Sequence, residues 1–227
     1  MDSDYPMDIP DASLGDFSEP VDDGAGDFNE TADGGLQDTQ QDVDDSLNWD
    51  DSGTEADESL SDGTNDVTSV QEQQAVSELS QIDEISPESW SELDETERLQ
   101  VAQDIEDTMA NIQGRPAQEV VVDPNLEPGT YGGYDGNCIR VSEWSLQSND
   151  SKEFVDTIVH EGRHAYQDYA VQNPGFDPNE KEVAGWAENF NNYLDPQTYG
   201  QEAYASQPVE ADAWNYGSQV ASSLFGK

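Results

Sequence analysis

The chain has two histidines, and both fall within one pentapeptide, His160-Glu161-Gly162-Arg163-His164. The pattern is H-E-x-x-H. On a helix, residues four apart share a face, so both imidazoles can bind one metal ion. Glu161 flanks the pair, where a carboxylate can take a proton from a water on the metal. The chemistry is metal-assisted hydrolysis. Zinc lowers the pKa of bound water from about 15.7 toward ~7. Glu161 then accepts a proton as the oxygen attacks a carbonyl, and passes it to the leaving amine. Zinc and nearby donors stabilise the oxyanion.

A catalytic zinc site keeps three protein ligands and one open position. His160 and His164 supply two. No histidine remains, and Cys138 is the single cysteine, so the third ligand must be a carboxylate. Glu210, in Gln207-Pro208-Val209-Glu210-Ala211-Asp212-Ala213, is the leading candidate. It sits in the first turn of a helix after the motif, beside small residues that permit close packing. Glu180, Glu182, Glu188 and Asp212 compete with it. An acidic residue there also has a plainer use, complementing a helix N-terminus. Tyr204 and Tyr216 lie near Glu210 in sequence and are candidate oxyanion donors, although tyrosines mostly pack.

The elements that must position these groups occupy only part of the chain. Of 227 residues, the first 80 contain no Lys or Arg. They hold 24 of the 52 acidic residues, with isolated apolar side chains among Gly, Ser, Thr, Gln and Asn. Such a segment cannot bury enough surface to offset its conformational entropy, which predicts a disordered acidic tail over 1–83. Asp22-Asp23-Gly24 and Ser61-Asp62-Gly63-Thr64-Asn65-Asp66 look like fragments of calcium loops but lack the full register. A folded domain is expected over 84–227.

Within it, Ser86-Pro87-Glu88 reads as a helix start. Apolar spacing carries that helix through Ile112, and Gly114 and Pro116 stop it. Residues 119–123 read as a short buried strand. Tyr131–Tyr134 and Cys138–Trp144 read as a hairpin about Asp135-Gly136-Asn137. The motif helix runs from about Ser151 to Val171. Ile158 and Val159 before the motif, and Ala165 and Tyr166 after it, imply burial rather than a surface helix bearing two chance histidines. Arg163 must point away from the metal, toward Asp168 or the tail. Helices over roughly 179–194 and 208–225 follow. The order is α+β: a helix, a small antiparallel sheet, then helices.

Three segments carry a resemblance. They are Gly132-Gly133-Tyr134-Asp135-Gly136-Asn137-Cys138-Ile139-Arg140-Val141, Thr157-Ile158-Val159 running through the motif to Ala165-Tyr166-Gln167, and Pro208-Val209-Glu210-Ala211-Asp212-Ala213. Residues 88–225 resemble the metallopeptidase domains of bacterial polymorphic toxins and related minimal zincins with a glutamate third ligand. The resemblance implies a zincin-like fold, with Zn2+ on His160, His164 and Glu210 and with Glu161 as base. It implies that the strand over Cys138–Val141 is the edge that pairs with an extended peptide over the active-site helix. A cognate inhibitor or immunity protein would be a partner beside the peptide substrate. The acidic first 80 residues lie outside the resemblance. Cys138 is either an inhibitory thiolate near the metal or a small buried residue.

The formal net charge of -45 excludes nucleic acid as a direct partner and docking on anionic membranes. It favours solubility and cationic partners. No apolar run spans a bilayer, and the N-terminus lacks the basic and apolar regions of a secretory signal. The expected location is the cytoplasm, or outside the cell by a non-classical route. Two other readings stand beside the peptidase. One is a non-catalytic acidic interaction protein on a degenerate zincin scaffold. The other is an enzyme adapted to high salt.

Overall fold

Capping groups fix where the helices begin, and they divide the first expected helix in two. Ser86 accepts from Ser89 N at 3.3 Å and starts a single turn, α2 (Pro87–Trp90). Asp94 then forms a full capping box with Glu97 and starts α3 (Glu95–Gln113). Gly114, in the left-handed conformation, ends α3. In the computed structural model, which describes residues 64–226, α1 (Thr64–Leu79) and a 3-10 turn (Asp83–Ile85) precede these.

Strands β1 (Glu119–Val122), β2 (Gly132–Tyr134) and β3 (Cys138–Val141) follow, then α4 (Glu143–Gln147) and α5 (Ser151–Gln172). The chain closes with α6 (Glu180–Asn191), the short turns α7 (Pro196–Tyr199) and α8 (Gln201–Ala205), and α9 (Pro208–Phe225). The architecture is α+β, mostly helical, with a three-stranded sheet. Among the described residues no helix is long and apolar enough to cross a membrane.

Two expectations need correction. Helix α1 lies upstream of the boundary expected at residue 84, yet Ala75 and Leu79 are fully buried in the main core. It packs against α3 and α9. Its apolar residues are too sparse to mark it in the sequence, and burying Leu79 alone contributes about 1.5–3 kcal/mol. Thr64, Asn65 and Asp66 of the second calcium-like fragment lie in its first turn. Asp22-Asp23-Gly24 and the rest of the expected tail lie outside the described residues.

The sheet is the second correction. It is mixed, not antiparallel, with order β1-β3-β2. β1 pairs with β3 in parallel, Val120 opposite Ile139, and β2 pairs with β3 antiparallel, Gly133 opposite Arg140. β3 is therefore the centre, paired on both sides, and cannot be the expected edge. Ile139 and Val141 are fully buried, which suits the centre, while β2 opens with two glycines and has less to bury. The Asp135-Gly136-Asn137 turn forms as expected, with Gly136 at φ 87°. Arg140 bridges Asp123 and Asp135, binding the outer strands through the central one.

Helix α5 is buried almost all round because α3, β2, α6 and α9 surround it. Its most extensive partner is α9. Gly162 is required where a buried pair, Arg115–Glu106, approaches the α5 backbone. The guanidinium donates to both carboxylate oxygens at 2.6 and 2.8 Å. A Cβ at 162 would stand 3.0 Å from Arg115 Nη2 and 3.0 Å from Glu106 Oε2.

Candidate metal centre

The motif forms on α5 as the spacing requires, and α9 crosses over it. His160 Nε2 and His164 Nε2 stand 3.1 Å apart. Glu210, in the first turn of α9, sets Oε2 at 3.5 Å from His160 Nε2 and Oε1 at 3.4 Å from His164 Nε2. Donor atoms of a tetrahedral ion with bonds of about 2.0–2.1 Å lie about 3.3–3.4 Å apart, so these spacings are compatible with a zinc ligand set, each Glu210 oxygen facing one imidazole. Glu210 Oε2 is buried and has no hydrogen-bond partner. Tyr193 donates to Oε1 at 2.6 Å. A fully buried carboxylate with an unused lone pair is suited to a cation.

Glu161 is buried beside the pair, and one of its oxygens lies within 4.8 Å of both ligating nitrogens. Both glutamates therefore face the histidines. Glu210 approaches both rings from α9, and Glu161 stands beside them on α5. Of the competing candidates, Asp212 is held by Arg163 and Gln167. Glu182 accepts from Asn179. Glu180 and Glu188 are not in the buried group around the imidazoles.

The charges are coupled. Burial works against the Glu210 carboxylate, but the His164 and His160 rings outweigh it and hold its pKa well below the ordinary value. Burial also works against a charged His164, yet Glu210 leaves its pKa raised, at about 9. In His160 burial prevails and the pKa is lowered. Without metal, the positive charge that Glu210 draws in is thus a proton on His164.

Behind the ligands lies a polar chain. His164 Nδ1 faces Gln167 Oε1 at 2.9 Å, and Gln167 Nε2 donates to Asp212 Oδ2 at 2.7 Å and to the Val209 carbonyl at 2.9 Å. Because an amide oxygen accepts, His164 donates from Nδ1, and the neutral ring would offer Nε2 to a metal. Arg163 donates to Asp212 at 2.8 and 3.1 Å rather than to Asp168, and its charge also acts on Glu72 of α1, within the expected tail. Its guanidinium packs over Tyr166, Trp186 and Tyr216, 4.5–5.5 Å from the ring centroids. A charged residue between the histidines therefore serves as a bolt between α5 and α9.

Of the tyrosines singled out by sequence, Tyr216 is committed to Arg163. Tyr204 is buried beside Tyr193, with ring centroids 5.9 Å apart. Tyr193, which nothing local in the sequence marked, is the one bonded to Glu210. Cys138 is part-buried at the start of β3, its thiol 3.8 Å from Asp135, and is outside the His160–Glu161–His164 group. The strand beside Glu161 is β2. A Cβ at Gly132 would meet Thr157 Cγ2 at 2.7 Å and Glu161 Cγ at 3.5 Å. Comparisons with protein-family models, with curated proteins and with solved structures return no match.

Proposed function

We propose that this chain is a zinc-dependent peptidase of zincin-like design. One observation carries the reading: two imidazole nitrogens 3.1 Å apart face a buried carboxylate, one of its oxygens 3.5 Å from His160 and the other 3.4 Å from His164, with a second glutamate alongside. His160, His164 and Glu210 would hold the ion. When bound, zinc supplies Lewis acidity and a water of pKa about 7.

The remaining work belongs to the chain. Glu161 takes the proton from the attacking water and returns it to the amine nitrogen as the C–N bond breaks. Tyr193 holds one Glu210 oxygen, and Gln167 fixes the tautomer of His164. β2 supports a peptide as substrate. The Asp135–Cys138 and Tyr131–Ser142 backbone bonds alternate with non-bonded pairs at Gly132 and Tyr134, whose outer backbone groups point away from β3. β2 is buried along its length, so an extended peptide would add to those groups only once the cover over the strand moves aside.

The test is zinc stoichiometry together with proteome-wide cleavage mapping of wild type and Glu161→Gln. The variant should retain one zinc and lose about 10²–10⁴ of the rate. Equal cleavage by the two proteins would sink the mechanism. Full zinc loading with no cleavage by wild type would favour the acidic interaction protein instead.

A further inference from the structure

The α5 row that ends in the histidines begins one turn earlier, at Asp156. Asp156, His160 and His164 are spaced by four and stand in file on one helix face. Glu210, Trp214 and Ser218 form a matching file on α9. Glu210 meets both imidazoles, and the Trp214 ring stands edge-on to His160 with centroids 6.0 Å apart. One turn on, Gly217 meets Asp156. A Cβ there would lie 2.5 Å from Asp156 Oδ1 and 3.2 Å from the Asp156 carbonyl. Glycine thus leaves room for a carboxylate at the crossing.

Beside His160 the two files part around a pocket of about 180 Å³ lined by Asp156, His160, Trp214, Asn215 and Ser218. That is well below the roughly 300–1,000 Å³ of small-molecule sites and suits a single side chain. Its charge is one-sided. Asp156 is the only carboxylate of the lining, and no hydrogen bond or ion pair reaches it among the described residues. Lys152, the nearest basic residue in sequence, turns to the Gly226 carbonyl at 3.3 Å. Burial, reinforced by Glu153 and opposed in part by the Lys152 charge, pushes the Asp156 carboxyl up to about 7. An unpaired, partly desolvated carboxylate is costly and gains most from a cation. The indole of Trp214 offers a second attraction to the same charge.

We propose that this pocket is a specificity site for a basic side chain, lysine or arginine, of the peptide hydrolysed at the neighbouring centre. The proposal rests on the peptidase reading. One helical turn, about 5.4 Å, separates Asp156 from His160 along α5. Same-face side chains of an extended peptide are spaced by about 6.6 Å. The basic residue therefore lies within about two positions of the scissile bond.

The net charge of -45 attracts any cationic peptide, so the test must separate the pocket from the general field. Zinc-loaded Glu161→Gln protein binds without turnover. It is titrated calorimetrically, in about 0.5 M salt to screen distant charge, with two peptide mixtures. Both are randomised around one fixed residue, lysine in one and norleucine in the other. The lysine mixture should bind at least about tenfold more tightly. Adding Asp156→Asn should bring the ratio to near one, and adding Asp104→Asn, at an exposed carboxylate, should leave it unchanged. Ser218→Lys, at an exposed position on the rim, should abolish the preference with the Asp156 carboxylate intact. Equal binding of the two mixtures, or a preference that survives Asp156→Asn or Ser218→Lys, overturns the proposal. Failure of the peptidase reading shows elsewhere, as equal hydrolysis by wild type and Glu161→Gln.

Discussion

At the scale of single residues, the candidate site is two imidazoles, that of His164 backed by the Gln167 amide oxygen, and a carboxylate one of whose oxygens is held by a phenol. Gln167 makes this testable apart from the ligands. Replacing it with leucine removes the acceptor for His164 Nδ1–H and the donors to Asp212 and the Val209 carbonyl. Zinc affinity should fall about 10–100-fold, the usual cost of losing such a partner. Competition with a chromophoric chelator measures it, and unchanged affinity would show that the amide only packs. Glu210→Gln should do more. It removes the charge that the imidazoles hold ionised, and stoichiometric zinc binding should be lost in the same assay.

Between elements, close approaches decide stability. Gly162→Ala drives a methyl against the Arg115–Glu106 pair, both of whose side chains are fully buried. The pair is fixed by its own bidentate geometry, so the clash should cost about 1–3 kcal/mol in urea unfolding. Glu106→Gln is expected to cost more, about 3–5 kcal/mol, because Arg115 is left buried without a counter-charge. If Gly162→Ala proved neutral, the backbone of α5 would have to be looser there than the contact distances state. Helix α1 gives another check. A chain begun at residue 84 lacks Ala75 and Leu79, and its Tm should drop by at least about 5 °C at roughly 2–4 °C per kcal/mol. An unchanged Tm would mean that α1 adds nothing to the core.

For the whole molecule, metal binding and folding are linked through protons. In the metal-free protein His164 is raised to about 9 from an ordinary value of 6.5. A group bound more tightly by its proton in the folded state stabilises fully below 6.5, and that contribution is lost as pH rises through about 9. Asp156, raised from 3.8 to about 7, acts with the same sign at lower pH: its contribution is present below 3.8 and lost toward 7. Metal-free stability should therefore decline as pH rises from about 6.5 to 9, a range in which the lowered pKa of His160 no longer acts. Zinc affinity should increase over pH 6.5–9, because His164 must release its proton to bind. Denaturant titrations with and without zinc at several pH values check both trends. A metal-free protein that grows more stable toward pH 9 would contradict the charge assignment.

The sequence by itself determined which side chains of α5 share a face and the helices that bear the candidate site. His160, Glu161 and His164 were legible because a helical period of 3.6 turns spacing into geometry without help from the rest of the fold. The bounds of α5 and α9, and the Asp135-Gly136-Asn137 turn, were legible for the same local reason. Glu210 was the leading acid from its place in a helix start, but only the α5–α9 crossing sets it at 3.4 and 3.5 Å from the imidazoles and sends Asp212 to Arg163. The tertiary structure alone decided that β3 is central and β2 lies beside Glu161, since strand order depends on pairing between distant segments. It alone placed α1 in the core, Tyr193 on Glu210 and Asp156 in a pocket. Contacts of that kind come from packing between elements, and no local pattern of residue types encodes which faces will meet.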